Sequence, residues 1–326
     1  MSNIFIDPAF EEIYSEHPIV LIDVGAYGGI NKRWAKAKRH LRAVAFEPDE
    51  RAFKALPCDS QTTYINTAIS DTDGQCKFYL TEMPGCSSIF PPNHEFIGQF
   101  PDAGRFGIKG TTTIPTRRLN AELLHDHGVS DPDFLKVDTQ GGEMKVLRGA
   151  AELLESSIFG VEAELEFAPI YAGQPLFPEV DQFLRDKGFQ LFGLKRYYWK
   201  RSTGAYSGGP KGQIVFADAL YFKTYESLAK SIEKMAPEEK KAKILRAVSL
   251  CLIYGLSDYA IYLSEKSEKD GLLSSDDSRI IQRAVNRKSA APFFKGKGLL
   301  GTIFYKAYKY CRSGEFHFAD EEINNA

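Results

Sequence analysis

Two short apolar runs, each ending at an acid, organise the first part of the chain. Residues 19–24 form a β-branched and leucine-rich run, interrupted by Asp23, that predicts a buried strand. A glycine turn at 25–29 follows, and residues 31–40 then have helical character. A second run, at 41–46, ends before Glu47. This succession of strand, glycine turn and helix predicts a nucleotide-type pocket.

The same patterns continue to residue 222 and predict an alternating α/β domain. Residues 81–110 show no period, and a loop of that length is either a functional lid or irregular surface. Further strands are expected at 61–69, 75–80, 111–117, 133–138, 158–167, 189–194 and 214–222, with 75–80 pairing with 111–117. Helices are expected at 8–17, 48–56, 119–127, 143–154 and 177–188, and residues 195–201 read as an aromatic and basic connection.

The strand at 158–167 alternates apolar residues with Glu162, Glu164 and Glu166. Acids on one face of a covered strand are costly unless they are paired or functional. Lys136 and Asp138 share a face of the preceding strand by the same period of two, so Lys136 is expected to be an internal counter-charge for an acid-rich ladder.

A change of composition near residue 224 marks a domain boundary. Residues 1–223 are expected to form the α/β domain and residues 224–326 a helical extension, with one apolar helix face at Ile244, Leu245, Val248, Cys251 and Leu252. Residues 292–310 mix aromatics with lysines. That composition suits an interfacial membrane anchor, although a helix docked on its own domain or on a second subunit is favoured about two to one.

Composition excludes several classes of protein. The chain has 326 residues, of which 43% are hydrophobic, and a net charge of -2, so no global field recruits nucleic acid. Its five cysteines lack disulfide or zinc spacing. No secretory leader or membrane-spanning stretch is recognised, which predicts a cytoplasmic protein, with a peripheral position at the inner face of the membrane as the variant.

Chemistry separates two adenosine ligands. Glu47 lies 22 residues after Gly25, about where a ribose-binding acid belongs. The turn has no G-x-G for a pyrophosphate, and Asp23 at the strand end repels a diphosphate but suits a sulfonium. S-adenosylmethionine (SAM) is therefore favoured over NAD, and a turn without any ligand is the third interpretation.

Several motifs occur in one order: LIDVGAYGG, AFEPD, TAISDTDG and DFLKVDTQGGEMKVLRGA. With these motifs the chain, over residues 18 to 222, resembles the FkbM-type SAM-dependent methyltransferases. The resemblance implies a class I methyltransferase fold. That is a Rossmann-like, seven-stranded, mainly parallel sheet, here with an extra β-hairpin and the C-terminal all-α extension. It also implies methylation of hydroxyls on sugars, glycans or glycosylated metabolites.

The resemblance further implies where the cofactor would lie. Asp23, Gly25 and Tyr27 would surround the methionine end, where Tyr27 replaces an asparagine-like residue of the family. Glu47 would hold the ribose and Thr67–Ala68 would flank the adenine. The expected cofactor-binding set is Asp23, Gly25, Ala26, Tyr27, Gly28, Glu47, Pro48, Thr67, Ala68, Ser88 and Asp138, with Ser87–Ser88 closing over the ligand.

Methyl transfer to a hydroxyl also benefits from a base. Asp138 ranks first because it ends a strand beside a glycine turn; the alternative is a helix N-cap. Glu164 ranks second, with an ion pair to Lys136 as its alternative. Glu143 is more typical of a first-turn acid, and His94 has no partner spacing.

Other functions remain open. A nicotinamide-dependent oxidoreductase and a non-catalytic partner-binding protein with a vestigial pocket are the alternatives to a methyltransferase. A further alternative is that Asp138 and Glu164 bind Mg²⁺ together with a diol. No third ligand is recognisable in the sequence, so no metal is expected. The expected partners are a hydroxylated acceptor and, through the C-terminal helices, a membrane surface or a second copy.

Overall fold

The computed structural model describes residues 4, 7–58, 60–205, 212–286, 303–304, 307 and 317–319. Within these residues the chain forms one large sheet covered by helices and one small sheet beside it. The strands are β1 (Ile19–Val24), β2 (Leu41–Phe46), β3 (Thr62–Ile65), β4 (Ala68–Ile69), β5 (Gly74–Thr81), β6 (Ile108–Arg117), β7 (Phe134–Val137), β8 (Gly160–Glu166), β9 (Phe189–Trp199), β10 (Gln213–Lys223) and β11 (His317–Ala319).

The large sheet has the order β11-β9-β10-β8-β7-β1-β2-β3. Strands β3, β2, β1, β7 and β8 are parallel neighbours, and β10 lies antiparallel between β8 and β9. These seven strands confirm the class I methyltransferase fold that the sequence predicts. The eighth, β11, pairs antiparallel with β9 at the edge and was not predicted.

Helices cover both faces of the large sheet. A 3₁₀ segment, Lys32–His40, replaces the α-helix expected after β1. The α-helices are α1 (Pro8–Glu16), α2 (Glu50–Phe53), α3 (His94–Ile97), α4 (Ala121–Asp126), α5 (Glu143–Gly149), α6 (Ala151–Ser156), α7 (Phe177–Asp186), α8 (Tyr225–Ser231), α9 (Pro237–Ile253), α10 (Ser257–Lys269) and α11 (Ser275–Asn286).

The helices after residue 224 form part of the layer on one sheet face. Ile244, Leu245 and Val248 of α9 are fully buried, and they share one hydrophobic core with Leu21 of β1 and Phe134 of β7. The opposite face packs against α4–α7 in a second core. The C-terminal helices therefore supply core contacts that β1 and β7 need.

A buried charge cluster joins α9 to the amino end of β7. Lys243 Nζ lies 2.7 Å from Asp131 Oδ1 and 2.8 Å from Asp133 Oδ1, and Arg246 pairs with the same two aspartates. Asp133 also accepts a hydrogen bond from the Val20 backbone N–H at 2.9 Å. The charges of two acids and two bases are thus balanced at a largely buried site.

The small sheet has the order β4-β6-β5. Strands β5 and β6 form the antiparallel pair expected for residues 75–80 and 111–117. The expected single strand at 61–69 is wrong, since it divides into β3 of the large sheet and β4 of the small one. The break is held by Asn66, whose Nδ2 donates to the Glu47 carbonyl at 2.8 Å.

Three other predicted boundaries are wrong. The helix expected at 48–56 is only α2, which starts after the N-cap Asp49. The helix expected at 143–154 divides at Ala150 into α5 and α6. The connection expected at 195–201 is largely strand, because β9 continues to Trp199 beside β10.

Residues 81–110 have no period because they fold around their own small core. Cys86, Ile97, Phe100 and Phe106 are buried there against Trp199. Aromatic edge contacts such as Phe100–Trp199, with centroids 5.4 Å apart, replace a regular repeat. The proposed anchor at 292–310 lies almost entirely outside the described residues.

Candidate active site

The glycine turn after β1 allows two chain segments to meet closely. Gly25 has φ +85°, and a Cβ placed on it would lie 1.8 Å from the Asp138 carbonyl oxygen. Asp138 follows β7, the parallel neighbour of β1, and its N–H donates to the Val24 carbonyl at 2.9 Å. A residue with a side chain at position 25 would therefore separate the ends of β1 and β7.

A cleft opens at this carboxyl edge of the sheet. It encloses about 740 Å³, including its solvent-open mouth. Its walls are both apolar and polar: Val24, Gly25, Tyr27, Glu47, Pro48, Thr67, Ala68, Ile69, Phe78, Pro84, Gly85, Ser87, Ile89, Asp138, Thr139, Gln140 and Gly142.

Glu47 stands at the end of β2 on one side of the cleft. One carboxylate oxygen accepts the Asp49 N–H at 2.8 Å. Burial raises the pKa of Glu47 to about 7. A buried acid with a single backbone donor gains from further hydrogen-bond donors that a ligand brings, such as a pair of hydroxyls.

The segment 84–90 forms the cover of the cleft and is tied down beside Glu47. Ser87 Oγ donates to Asp49 Oδ2 at 3.0 Å, and Arg51 lies 2.5 Å from the same oxygen. Arg51 also donates to the Thr81 carbonyl at 3.0 Å. These bonds hold the cover against the end of β2.

Lys136 is the counter-charge expected from the strand pattern. Its Nζ lies 3.4 Å from both Asp23 Oδ1 and Asp138 Oδ2 and donates to the Gly25 carbonyl at 3.1 Å. Burial acts to lower the pKa of Lys136, but the neighbouring carboxylates outweigh it and raise that pKa. Burial raises the pKa of Asp23 to about 6.

Gln140 joins the two leading base candidates. Its Nε2 donates to Asp138 Oδ1 at 2.9 Å and to Glu164 Oε1 at 2.6 Å. The Glu164 carboxylate is thus bonded to an amide, rather than to the expected Lys136. The amide nitrogen takes the place between the acids that a shared Mg²⁺ would need, and the described residues contain no cluster of three metal-type ligands.

The Glu143 carboxylate accepts hydrogen bonds from the loop that precedes it. It accepts from the Thr139 N–H at 2.7 Å and the Thr139 hydroxyl at 3.0 Å, and Glu143 is only 2% exposed. Burial raises the pKa of Glu143 to about 7. The N-cap of α5 is Gly142, so the alternative role of Asp138 as that cap is wrong.

The structure brings most of the expected cofactor residues together, since Gly25, Tyr27, Glu47, Pro48, Thr67, Ala68 and Asp138 all line the cleft. Asp23 is 4% exposed and lies beneath the floor, paired with Lys136. Ala26, Gly28 and Ser88 do not line it. Ser87 does so instead of Ser88, whose hydroxyl donates to the Gln140 carbonyl. His94 is exposed at the start of α3, away from the cleft lining.

Sequence reasoning missed the apolar wall at Phe78 and Ile89 and the polar pair Thr139 and Gln140. Phe78 belongs to the hairpin and Ile89 to the aperiodic segment, so neither carries a local signal of ligand contact. Gln140 did carry one, since it follows Asp138 at the predicted edge within the glycine turn.

The sheet order and the cleft at its carboxyl edge define a protein of the class I methyltransferase type. Residues 23–191 match the family model described as the methyltransferase FkbM domain. The chain belongs to this family of FkbM methyltransferases.

Three known proteins are similar to parts of this chain. Methyltransferase sdnD of Sordaria araneosa is 25% identical over 219 residues, covering 56% of this chain and 81% of the relative. A solved methyltransferase FkbM from Methylobacillus flagellatus KT is 15% identical with a TM-score of 0.34, covering 63% of this chain and 43% of its own. Magnesium protoporphyrin IX methyltransferase from Synechocystis PCC 6803, solved with bound SAM, is 8% identical with a TM-score of 0.31, covering 66% and 76%. Such low scores carry no argument about function.

Among the described residues, none of the helices combines the length and the apolar character that crossing a membrane requires. The cytoplasmic location and the contacts expected of the C-terminal helices stay predictions.

Proposed function

We propose that this protein transfers a methyl group from SAM to a hydroxyl of a sugar, a glycan or a glycosylated metabolite. The observation that carries the proposal is the meeting of Gly25, Glu47 and Asp138 around one cleft, at the carboxyl ends of three neighbouring parallel strands. In open α/β sheets, ligands bind in this kind of crevice.

The residues of the cleft fit SAM better than a dinucleotide. The chain after the glycine turn enters the 3₁₀ segment Lys32–His40, so no α-helix N-terminus follows β1 to receive a pyrophosphate. Glu47 suits the ribose hydroxyls, while Phe78 and Ile89 give apolar contact for a flat base. Asp138 brings negative charge to the opposite end, where a sulfonium would lie.

SAM, when bound, supplies an activated methyl group. The chain must orient the acceptor oxygen and take up its proton. Asp138 is the preferred proton acceptor because its side chain is 34% exposed, whereas Glu143 is buried under Thr139. Burial and the charge of Asp138 raise the pKa of Glu164 well above its ordinary value, so Glu164 ionises only at higher pH.

A polar strip beside Asp138 supports a polyhydroxyl acceptor. Glu164 of β8 is the register partner of Asp218 of β10, and Asp218 accepts from the Tyr197 hydroxyl at 2.9 Å. Lys195 lies 3.7 Å from Asp218, and these side chains are half-buried rather than sealed. Such mixed donors and acceptors beside an aromatic ring suit sugar hydroxyls.

Two measurements test the proposal. Calorimetric titration with S-adenosylhomocysteine (SAH) and with NAD⁺ should show binding of SAH alone. Incubation with isotopically labelled SAM and a panel of saccharide extracts should then give a methylated product in the mass spectrum.

Variants assign the chemistry. Asp138→Asn should lower product formation about 100-fold or more, as expected for the loss of a general base. His94→Asn, the control, should change it less than about twofold. Binding of NAD⁺ without SAH would favour an oxidoreductase, and binding of neither would favour a partner-binding protein.

A further inference from the structure

Gln140 has an unusual backbone for its residue type and faces the cleft. Its φ is +58°, in the left-handed region that favours glycine, although the next two residues are glycines. A non-glycine residue is strained in this conformation. Contacts of the Gln140 side chain and carbonyl must therefore hold it there.

The side-chain amide of Gln140 uses all of its hydrogen-bonding groups. Both hydrogens of Nε2 point to acids, Asp138 at 2.9 Å and Glu164 at 2.6 Å. Oε1 accepts from the Tyr171 hydroxyl at 2.8 Å. The reverse orientation would place an amide oxygen against two carboxyl groups, so this set of partners fixes the amide.

The other partners of Gln140 lead to the cover at 84–90. The Tyr171 hydroxyl also lies 2.9 Å from the Cys86 carbonyl, and Ser88 Oγ donates to the Gln140 carbonyl at 2.7 Å. Tyr171 is fully buried and Cys86 is 5% exposed, so water does not compete for these bonds. The cover thus contacts Gln140 at its backbone and, through Tyr171, at its side chain.

We infer that Gln140 is a positioning residue that couples the closed cover to the placement of Asp138 and Glu164. When the cover is seated, Tyr171 orients the amide, and the amide orients both acids toward the acceptor. When the cover opens, the Gln140 carbonyl loses Ser88 Oγ and the Tyr171 hydroxyl loses the Cys86 carbonyl, so the backbone and amide of Gln140 are held less firmly and the acids lose their fixed geometry. The acceptor role of these acids rests on the proposed function, but the coupling itself can be measured without SAM or an acceptor.

The test follows the carboxyl carbon of Glu164 by NMR titration of protein labelled with [δ-¹³C]glutamate, with the signal assigned by Glu164→Gln. The amide stabilises the ionised form of Glu164, so Gln140→Met should weaken the acid about tenfold. The charged or titratable groups that face Glu164 include Tyr171, which the second variant removes, and a set retained in the Gln140 and Tyr171 variants: Cys86, Lys136, Asp138, Glu143, Glu166, Tyr197 and Asp218.

Tyr171→Phe makes the test specific, because that hydroxyl lies between the amide and the cover and its one hydrogen is shared by Gln140 Oε1 and the Cys86 carbonyl. It should move the titration of Glu164 in the same direction as Gln140→Met, by about threefold. Adding Tyr171→Phe to Gln140→Met should not shift the titration of Glu164 beyond the shift that Gln140→Met causes alone. Tyr221→Phe, which removes another buried hydroxyl that donates to Asp181 at 3.0 Å, is the matched control and should leave Glu164 unchanged.

Alkylation of Cys86 reports on the cover in the same proteins. Iodoacetamide labelling measured by peptide mass spectrometry should speed up several-fold at Cys86 in Tyr171→Phe and Gln140→Met, while the fully buried Cys251 stays protected. If Gln140→Met does not fold, Gln140→Leu serves in its place because it removes both donors without adding a titratable group.

Two results would overturn the coupling: a Glu164 titration unaffected by Tyr171→Phe, or an effect of Tyr171→Phe that persists in full with Gln140→Met. Both are independent of whether SAH binds, so failure of the proposed function is recognised separately.

Discussion

At the amino edge of the large sheet, Asp131 and Asp133 face Lys243 and Arg246, whereas at the carboxyl edge Lys136 lies among Asp23, Asp138 and other acids. Burial alone would raise the pKa of Asp131, but the two cations lower it below its ordinary value. At the carboxyl edge, burial raises the pKa of Asp23 and of Glu47. Balanced buried charge holds elements together, and unbalanced buried charge is typical of a site that awaits a ligand.

The largest effect is expected when the helices that pack against the amino edge of the sheet are removed. A chain ending at Lys223 lacks α9, which buries Leu21 and Phe134 and carries Lys243. It should yield no soluble monomer with cooperative thermal unfolding. A chain ending at Asn286 keeps α8–α11 and should remain folded in the same circular dichroism melt. A folded, SAH-binding 1–223 fragment would show that the extension is an independent appendage.

Lys243→Met tests the balance itself. It leaves Asp131 and Asp133 with only Arg246 in a buried place, and breaking a buried pair costs about 3–5 kcal/mol. Urea unfolding should show this loss, while the affinity of the folded protein for SAH should stay within twofold. Lys241→Met is the control, because Lys241 pairs with Asp277 at a more exposed place and should cost under about 1 kcal/mol. Equal losses would contradict the distinction.

Gly25→Ala tests the carboxyl edge of the sheet. The new Cβ combines a left-handed backbone with contact against the Asp138 carbonyl, so we expect a loss of about 2–4 kcal/mol and of measurable SAH binding. Gly28→Ala is matched in backbone strain, with φ +80°, but a Cβ there meets no atom within 4 Å. It should cost about 1–2 kcal/mol and retain most of the affinity. Calorimetry with SAH separates the two.

These positions also show how far the sequence leads. The alternation in β8 and the apolar runs of β1 and β7 follow the period of two, so the sheet and its carboxyl edge could be predicted. The glycine turn and Glu47 identified the cleft because both follow strand ends in the chain. Asp23 could not be placed correctly, because the ion pair that draws it beneath the floor depends on Lys136, 113 residues away.

Three other features of the fold could not be predicted from the local sequence pattern. The break at Asn66 depends on a hydrogen bond to the Glu47 carbonyl, and the short strand β11 pairs with β9 from far along the chain. The role of the C-terminal helices as a sheet layer follows from contacts such as those of Ile244, which an amphipathic pattern alone cannot assign to a partner. Tertiary contacts decide all three.

The smallest expected effect concerns Glu47, and its sign distinguishes a ligand site from a structural acid. With the pKa of Glu47 raised to about 7 from an ordinary 4.5, the folded state binds the proton more tightly than the unfolded state. Its stabilising contribution is complete below about pH 4.5 and is lost as the pH rises through about 7. Glu47→Gln should therefore stabilise the protein at pH 8, by roughly 2 kcal/mol, and flatten the pH dependence of unfolding.

The affinity for SAH should respond to Glu47→Gln in the opposite sense to the stability. Ionised Glu47 accepts hydroxyl donors better than an amide does, so SAH affinity should rise with pH through about 7 in the wild type, whereas Glu47→Gln should bind about tenfold more weakly at pH 8 without that rise. Glu50→Gln, which removes an exposed partner of Lys54, is the control and should change neither property. A Glu47→Gln protein that is less stable but binds SAH normally would make Glu47 a structural acid, like those at the amino edge.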